Sequence, residues 1–195
     1  MKNLLLILLL SVLLVACSTE GDFKVVNQTN HVVYFNIDDE DYIVDSLQTK
    51  TVSLDTGDKF IFFGDDEKTY TLEIEGETFA LPNGETETQV TIRNGKTYKA
   101  YCTPTHAGVK VINNSGKDII NLFFYTSFDE TLNTLTNSIE NGETFYSRLE
   151  YATSENDFYY TFKVRYDDFS EEYFGGPEET TLGLDEQYVI ELYEP

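Results

Sequence analysis

Thiol and imidazole chemistry have four side chains to draw on in this chain: Cys17, Cys102, His31 and His106. Cys102 and His106 stand close enough in sequence to suggest a nucleophile and its base, or two metal ligands. A cysteine nucleophile also needs a group to orient its base, and no residue nearby identifies itself as one. Position 102 matches Leu192 in a second copy described below, so a core thiol is the expectation there. His31 matches Lys117 beside a turn, which reads as a solvated position, and two histidines far apart in sequence do not announce a zinc site. Carboxylates are far more numerous, at 35 Asp and Glu. The runs Asp38-Asp39-Glu40-Asp41, Asp65-Asp66-Glu67 and Asp167-Asp168 each place several hard oxygens in one loop, as calcium demands. Asp38, Asp39 and Asp41 are accordingly the calcium candidates. None of the runs follows the spaced EF-hand pattern, so solvated turns are preferred and no cofactor is expected. So many acids always permit a pair suited to glycoside hydrolysis, which makes a glycan-acting, carboxylate-based hydrolase the alternative function. No G-x-S-x-G, H-E-x-x-H or phosphate-loop motif occurs, and a non-enzymatic protein is preferred.

The aromatic residues are the remaining candidates. Phe123-Phe124-Tyr125, Phe128, Phe158-Tyr159-Tyr160, Tyr166, Phe169 and Tyr173-Phe174 crowd the C-terminal part of the chain. On a strand, consecutive rings point to opposite faces, so some of these must face outward. Phe169, Tyr173 and Phe174 are the ligand-binding candidates, for an envelope protein or a glycan. The competing reading is that sheets or a junction between domains cover them, since large exposed apolar patches are uncommon on monomers. The absence of Trp weakens a sugar platform.

Cys17 belongs to a different context. Met1-Lys2-Asn3 is a cationic start, Leu4 to Val15 is apolar apart from Ser11, and small Ala16 precedes the cysteine. That is the layout of a cleaved secretory signal, and the apolar run falls short of the roughly 20 residues of a spanning helix. Leu14-Val15-Ala16-Cys17 resembles the lipobox of bacterial lipoproteins. The resemblance implies cleavage after residue 16, with thioether-linked lipid and an acylated amine on Cys17. Ser18, rather than Asp, resembles the outer-membrane sorting preference. The expected address is thus a lipid-anchored site on a bacterial membrane, at the outer membrane or cell surface. A net charge of −22, one unit more negative once Lys2 is removed, disfavours nucleic acid and anionic headgroups. With Cys17 lipidated, Cys102 has no disulfide partner.

These residues must be carried by β structure. Phe23-Lys24-Val25-Val26-Asn27-Gln28-Thr29 matches Val109-Lys110-Val111-Ile112-Asn113-Asn114-Ser115. Leu54 to Phe60 matches Ile139 to Phe145, and Val90, Ile92, Tyr98, Ala100 and Cys102 match Thr180, Leu182, Tyr188, Ile190 and Leu192. Alternation at Phe23-Val25, Thr49–Leu54, Tyr70-Leu72-Ile74, Gln89–Ile92, Lys96–Cys102, 158–166 and 187–193 predicts strands. Asn94-Gly95 predicts a hairpin turn, and only Phe128 to Leu135 offers a short helical turn. Asn and Ser/Thr after the first strand of each copy are placed to bond backbone amides. That strand-turn-strand opening loosely resembles small Ig-like or C2-like sandwich domains of exported bacterial proteins, over about twenty residues of each copy and with no catalytic motif. The expected architecture is all-β: a signal peptide at 1–16, a lipidated tether at 17–21, and tandem β-sandwich domains at 22–106 and 108–195. The 103–108 segment, with a Pro and a Gly, reads as a linker. The function expected of it is a lipid-anchored binding or interaction module, with a purely structural envelope lipoprotein as a further alternative.

Overall fold

The computed structural model describes residues 19–56 and 67–194. Residues 1–18 with the expected signal peptide and Cys17, the Asp65-Asp66 pair and the 57–60 portion of the second repeated block lie outside the described residues. Within them the first half runs β1 (Glu20–Asn27), β2 (Val33–Ile37), β3 (Glu40–Val44), β4 (Thr49–Asp55), β5 (Glu67–Gly76), β6 (Glu87–Arg93) and β7 (Thr97–Cys102). The second runs β8 (Ala107–Asn114), β9 (Ile119–Thr126), β10 (Asp129–Thr136), β11 (Thr144–Leu149), β12 (Tyr160–Tyr166), β13 (Glu171–Phe174) and β14 (Gln187–Tyr193). In the first half a three-stranded sheet, β4-β1-β7, faces a four-stranded one, β3-β2-β5-β6. The second half repeats both orders strand for strand, as β11-β8-β14 and β10-β9-β12-β13. The protein is a tandem β-sandwich.

Alternation builds each core. On β12, Tyr160, Phe162, Val164 and Tyr166 are buried while the residues between them are half-exposed. In the first half Phe23, Val25, Val52 and Leu54 meet Phe35, Ile37, Leu72, Ile74 and Ile92 across the sandwich. Each such side chain contributes about 1.5–3 kcal/mol of burial, before conformational entropy is set against it. Cys102 belongs to this core, fully buried, and burial alone pushes its thiol up to about 12. In each half the first and last strands pair in parallel, β1 with β7 and β8 with β14. A chain entering at one end therefore leaves at the other.

Two polar devices recur. Asn27 is buried, and its amide donates to the carbonyls of His31, Val44 and Asp45, while its Oδ1 accepts from Thr29 N. Asn113 does the same toward Lys117 O, Ile139 O and Ser115 N. A buried amide so satisfied closes a loop at no unpaired polar group, as the Asn and Ser/Thr pattern predicted. The Tyr70 hydroxyl donates to Asp55 O, and Tyr160 likewise donates to Glu150 O, fastening the same two strands in each half.

These devices correct the second repeated block. Val44 O and Ile139 O take the same place, so Ile139 to Glu143 corresponds to Val44 to Gln48, not to a segment beginning at Leu54. Leu47 (φ 58°) then stands where the other half has Gly142 (φ 89°). Asn94-Gly95 is a turn, with Gly95 at φ 65°, but it passes the chain from one sheet to the other instead of joining paired strands. A two-residue hairpin does occur at Asp38-Asp39, both at positive φ, between the paired residues Ile37 and Glu40. Phe128 to Leu135 forms no helical turn: residues 129–136 are β10, held by β9. Gly108 lies inside β8, where an added Cβ would meet Glu77 O at 3.0 Å.

Candidate functional site

The outer face of a sandwich sheet is where a fold of this kind can present chemistry, because its inner faces are filled. On the second half's four-stranded sheet, the outward residues fall into rows set by strand register. Phe123, Lys163 and Tyr173 lie directly opposite one another on β9, β12 and β13. Asn121, Arg165 and Glu171 form the next row, and Tyr125 with Thr161 the row on the other side. Neighbouring strands stand about 4.8 Å apart, so Phe123 and Tyr173 flank Lys163 at roughly twice that spacing. Lys163 Nζ sits 5.6 Å from the Tyr173 ring centre, and the Arg165 guanidinium 5.7 Å from that of Phe123. Cations over ring faces at this range are attracted by the ring quadrupole.

Glu171 accepts from both cations, at 2.9 Å from Lys163 Nζ and 2.7 Å from Arg165 Nη2. Lys163 first and Arg165 second hold its carboxyl below the usual range. Two cations share one carboxylate here, in a chain that is otherwise strongly acidic. Tyr173 is 58% exposed. Phe169 is 76% exposed at the β12–β13 turn, and φ 65° is costly for an aromatic residue.

Sequence reasoning put Phe169, Tyr173 and Phe174 in one patch. The structure separates them. Phe174 pairs with inward-facing Phe162 and packs against the core, while Tyr173 faces out. Phe123 was named only among the crowded aromatic residues, and Lys163 and Arg165 were not candidates. Alternation alone indicated that some rings face outward, but only strand pairing shows which cations stand beside them.

The first half has the same face with opposite chemistry. Hydrogen bonds from Glu77 N to Val32 O and from Asp167 N to Asp118 O make these positions equivalent, so Glu73 and Glu75 stand where Lys163 and Arg165 do. A cleft of about 440 Å³ lies on this face, lined in part by Tyr34, Asn36, Asp41, Glu73 and Glu75. Part of the face is covered by β11 of the second half. Tyr146 stacks on Tyr34, ring centres 5.6 Å apart, and donates to Glu75 at 3.0 Å. Arg148 donates to the same carboxylate at 3.2 Å and to the carbonyls of Gly76 and Phe79.

Beside this contact lies Glu77, whose side chain is only 2% exposed. It accepts from Lys110 Nζ at 2.8 Å and Gln187 Nε2 at 2.9 Å, both from the second half. Asp185 adds a return contact, accepting from Asn30 N and Thr78 Oγ1. His31 does not match the solvated expectation: its side chain is 19% exposed, with Nε2 2.9 Å from Asp185 O and Nδ1 4.0 Å from Glu77. Lys117, its counterpart, is exposed and pairs with Asp168. His106 sits at the same junction, and burial first, then Arg148, lowers its pKa.

The calcium candidates lie at the β2–β3 turn and at the start of β3. Asp38 and Asp39 form the β2–β3 hairpin, and Asp41 accepts from Asn36 Nδ2 at 2.8 Å. Asp168 accepts from Lys117 Nζ and from the hydroxyl and amide of Ser170, which in that order hold its carboxyl well below the usual range. Among the described residues no group of three or more His, Cys, Asp or Glu is arranged to hold a metal.

No family model matches the chain, and no curated protein sequence matches it. Among solved structures it is similar to the Bacillus anthracis TIE protein, at 9% identity and a TM-score of 0.35. That match covers 90% of this chain and 34% of the other, so the chain spans about a third of the TIE protein's length. It is also similar to DUF3823 family proteins of Bacteroides ovatus, at 14% identity, TM-score 0.30 and coverage of 80% and 95%, and of Parabacteroides merdae, at 10%, 0.28, 83% and 98%. Likenesses this distant carry no functional argument.

Proposed function

We propose that this protein is a lipid-anchored, non-enzymatic interaction module of a bacterial envelope, attached through Cys17 at the outer membrane or cell surface. The observation that supports it best is the aromatic outer face of the second half, where Tyr173 is 58% exposed among the described residues, while the equivalent face of the first half is partly engaged. Phe169, 76% exposed at the β12–β13 turn, is available to a contact surface. The Leu14-Val15-Ala16-Cys17 motif supports the anchor, and acyl mass on an N-terminal Cys17 in membrane fractions is the expected finding.

The contact surface is tested with a photo-crosslinking residue placed singly at Phe169, Tyr173 and Tyr101 in intact envelopes. Tyr101 is similarly exposed, at 55%, on the first half. Adducts at the first two positions and none at Tyr101 are expected. Equal adducts at all three, or none at 169 and 173, would remove the reading.

A further inference from the structure

The first half shows what occupies this part of the fold when it is covered. Side chains of a strand in the neighbouring β-sandwich reach the outer face, Tyr146 stacking on Tyr34 and the Arg148 guanidinium resting on Glu75. In the second half the equivalent of Glu75 is Arg165, with Asn121 opposite it, and the equivalent of Glu73 is Lys163. The charge is inverted, and rings stand at Phe123 and Tyr173 where the first half has Asn36 and Glu87, while Asn121 takes the place of Tyr34; Tyr173 is exposed among the described residues.

We infer that the Phe123–Lys163–Arg165–Tyr173 face receives an acidic strand or loop of a partner protein other than this chain. The inference rests on the interaction-module reading and names the partner's chemistry. An incoming carboxylate would meet the two cations that Glu171 now shares, forming charge-assisted hydrogen bonds of the kind Arg148 makes with Glu75. An aromatic or aliphatic side chain beside it would lie on Tyr173 and Phe123, as Tyr146 lies on Tyr34. A protein is favoured over a glycan because the occupant of the equivalent face is a β-strand, and because the rings here already carry cations over their faces. A second copy of this chain is disfavoured by the mutual repulsion of two chains of charge −22.

The test places a photo-crosslinking residue at Tyr125, one row from Lys163, in intact envelopes, with and without Lys163→Gln/Arg165→Gln. Glutamine keeps a polar stem of similar reach and removes the charge. The expected result is an adduct whose partner peptide is rich in Asp and Glu, with yield falling at least tenfold in the double variant. Arg165→Gln alone leaves the Lys163–Glu171 pair intact and should give an intermediate yield, and thermal melts confirm that both variants fold. Undiminished yield, a glycan adduct, a peptide from this chain or a partner segment without acids would overturn the inference while leaving an interaction module standing. Absence of any adduct at Tyr125, Phe169 and Tyr173 would remove both.

Discussion

The two halves share every strand pairing and both buried polar devices, yet their outer sheet faces have diverged. In the first half Glu73, Glu75 and Glu77 make an acidic surface, part of which is closed off by Tyr146, Arg148, Lys110 and Gln187. In the second half the same positions are Lys163, Arg165 and Asp167, beside an exposed Tyr173. Asn27 and Asn113, or Tyr70 and Tyr160, cannot change without leaving buried groups unpaired, so they hold the architecture. Outward positions carry no such constraint. One copy's outer face has become part of a junction, and the other, among the described residues, leaves Tyr173 exposed.

The largest expected effect lies at that junction. Glu77→Ala strands Lys110 and Gln187 beside a buried space and should cost about 2–4 kcal/mol, the lower part of the range reflecting that Lys110 is one-quarter exposed. Asp167→Ala, at the equivalent open position, should change stability by under about 0.5 kcal/mol. Denaturant melts of the two variants measure the difference, and similar losses would mean the junction has no special role.

A smaller contrast lies in the turn before β4 and its counterpart before β11. Leu47 holds φ 58° where Gly142 holds φ 89°. Gly142→Leu should cost about 1–2 kcal/mol, because side-chain-bearing residues are disfavoured in the left-handed region. An added Cβ at Gly142 meets no atom within 4 Å, so conformation alone is measured. Leu47→Gly should gain about 0.5 kcal/mol, part of the relief being offset by glycine's greater freedom in the unfolded chain. Equal and opposite shifts are not expected, and a loss on Leu47→Gly would show that this exposed leucine makes a stabilising contact.

The smallest effect is electrostatic. Lys163 and Arg165 lower the Glu171 pKa in the folded protein. A carboxyl lowered on folding contributes stability that is fully present above its unfolded value, about 4.3, and is lost as pH falls through the folded value. The contribution should therefore be intact at neutral pH and disappear only below about pH 4. Carboxyl-carbon titration by NMR should show Glu171 moving upward in Lys163→Gln/Arg165→Gln. An unmoved titration would mean that neither cation governs it.

Much of the architecture was legible in local pattern. Phe23-Lys24-Val25 and Tyr160-Thr161-Phe162 announce their buried faces, because successive side chains on a strand point to opposite sides. Asn27 with Thr29 and Asn113 with Ser115 announce their loops, because those side chains bond within a few residues. The candidate face was less legible. Tyr173 and Phe174 are adjacent and equally aromatic, and only their pairing with Lys163 and Phe162 decides which ring meets solvent.

By itself the amino-acid order determined an all-β, duplicated chain with a core thiol at Cys102. Strand periodicity, turn chemistry and apolar clustering are short-range properties, written into neighbouring residues. Tertiary structure alone decided that Asn94-Gly95 links two sheets, that Asp38-Asp39 is a hairpin, and that Glu77 is buried against Lys110. It also decided that Lys163 and Arg165 stand among aromatic rings. Each of these depends on which strand lies beside which, and a period of two selects a face without selecting a neighbour.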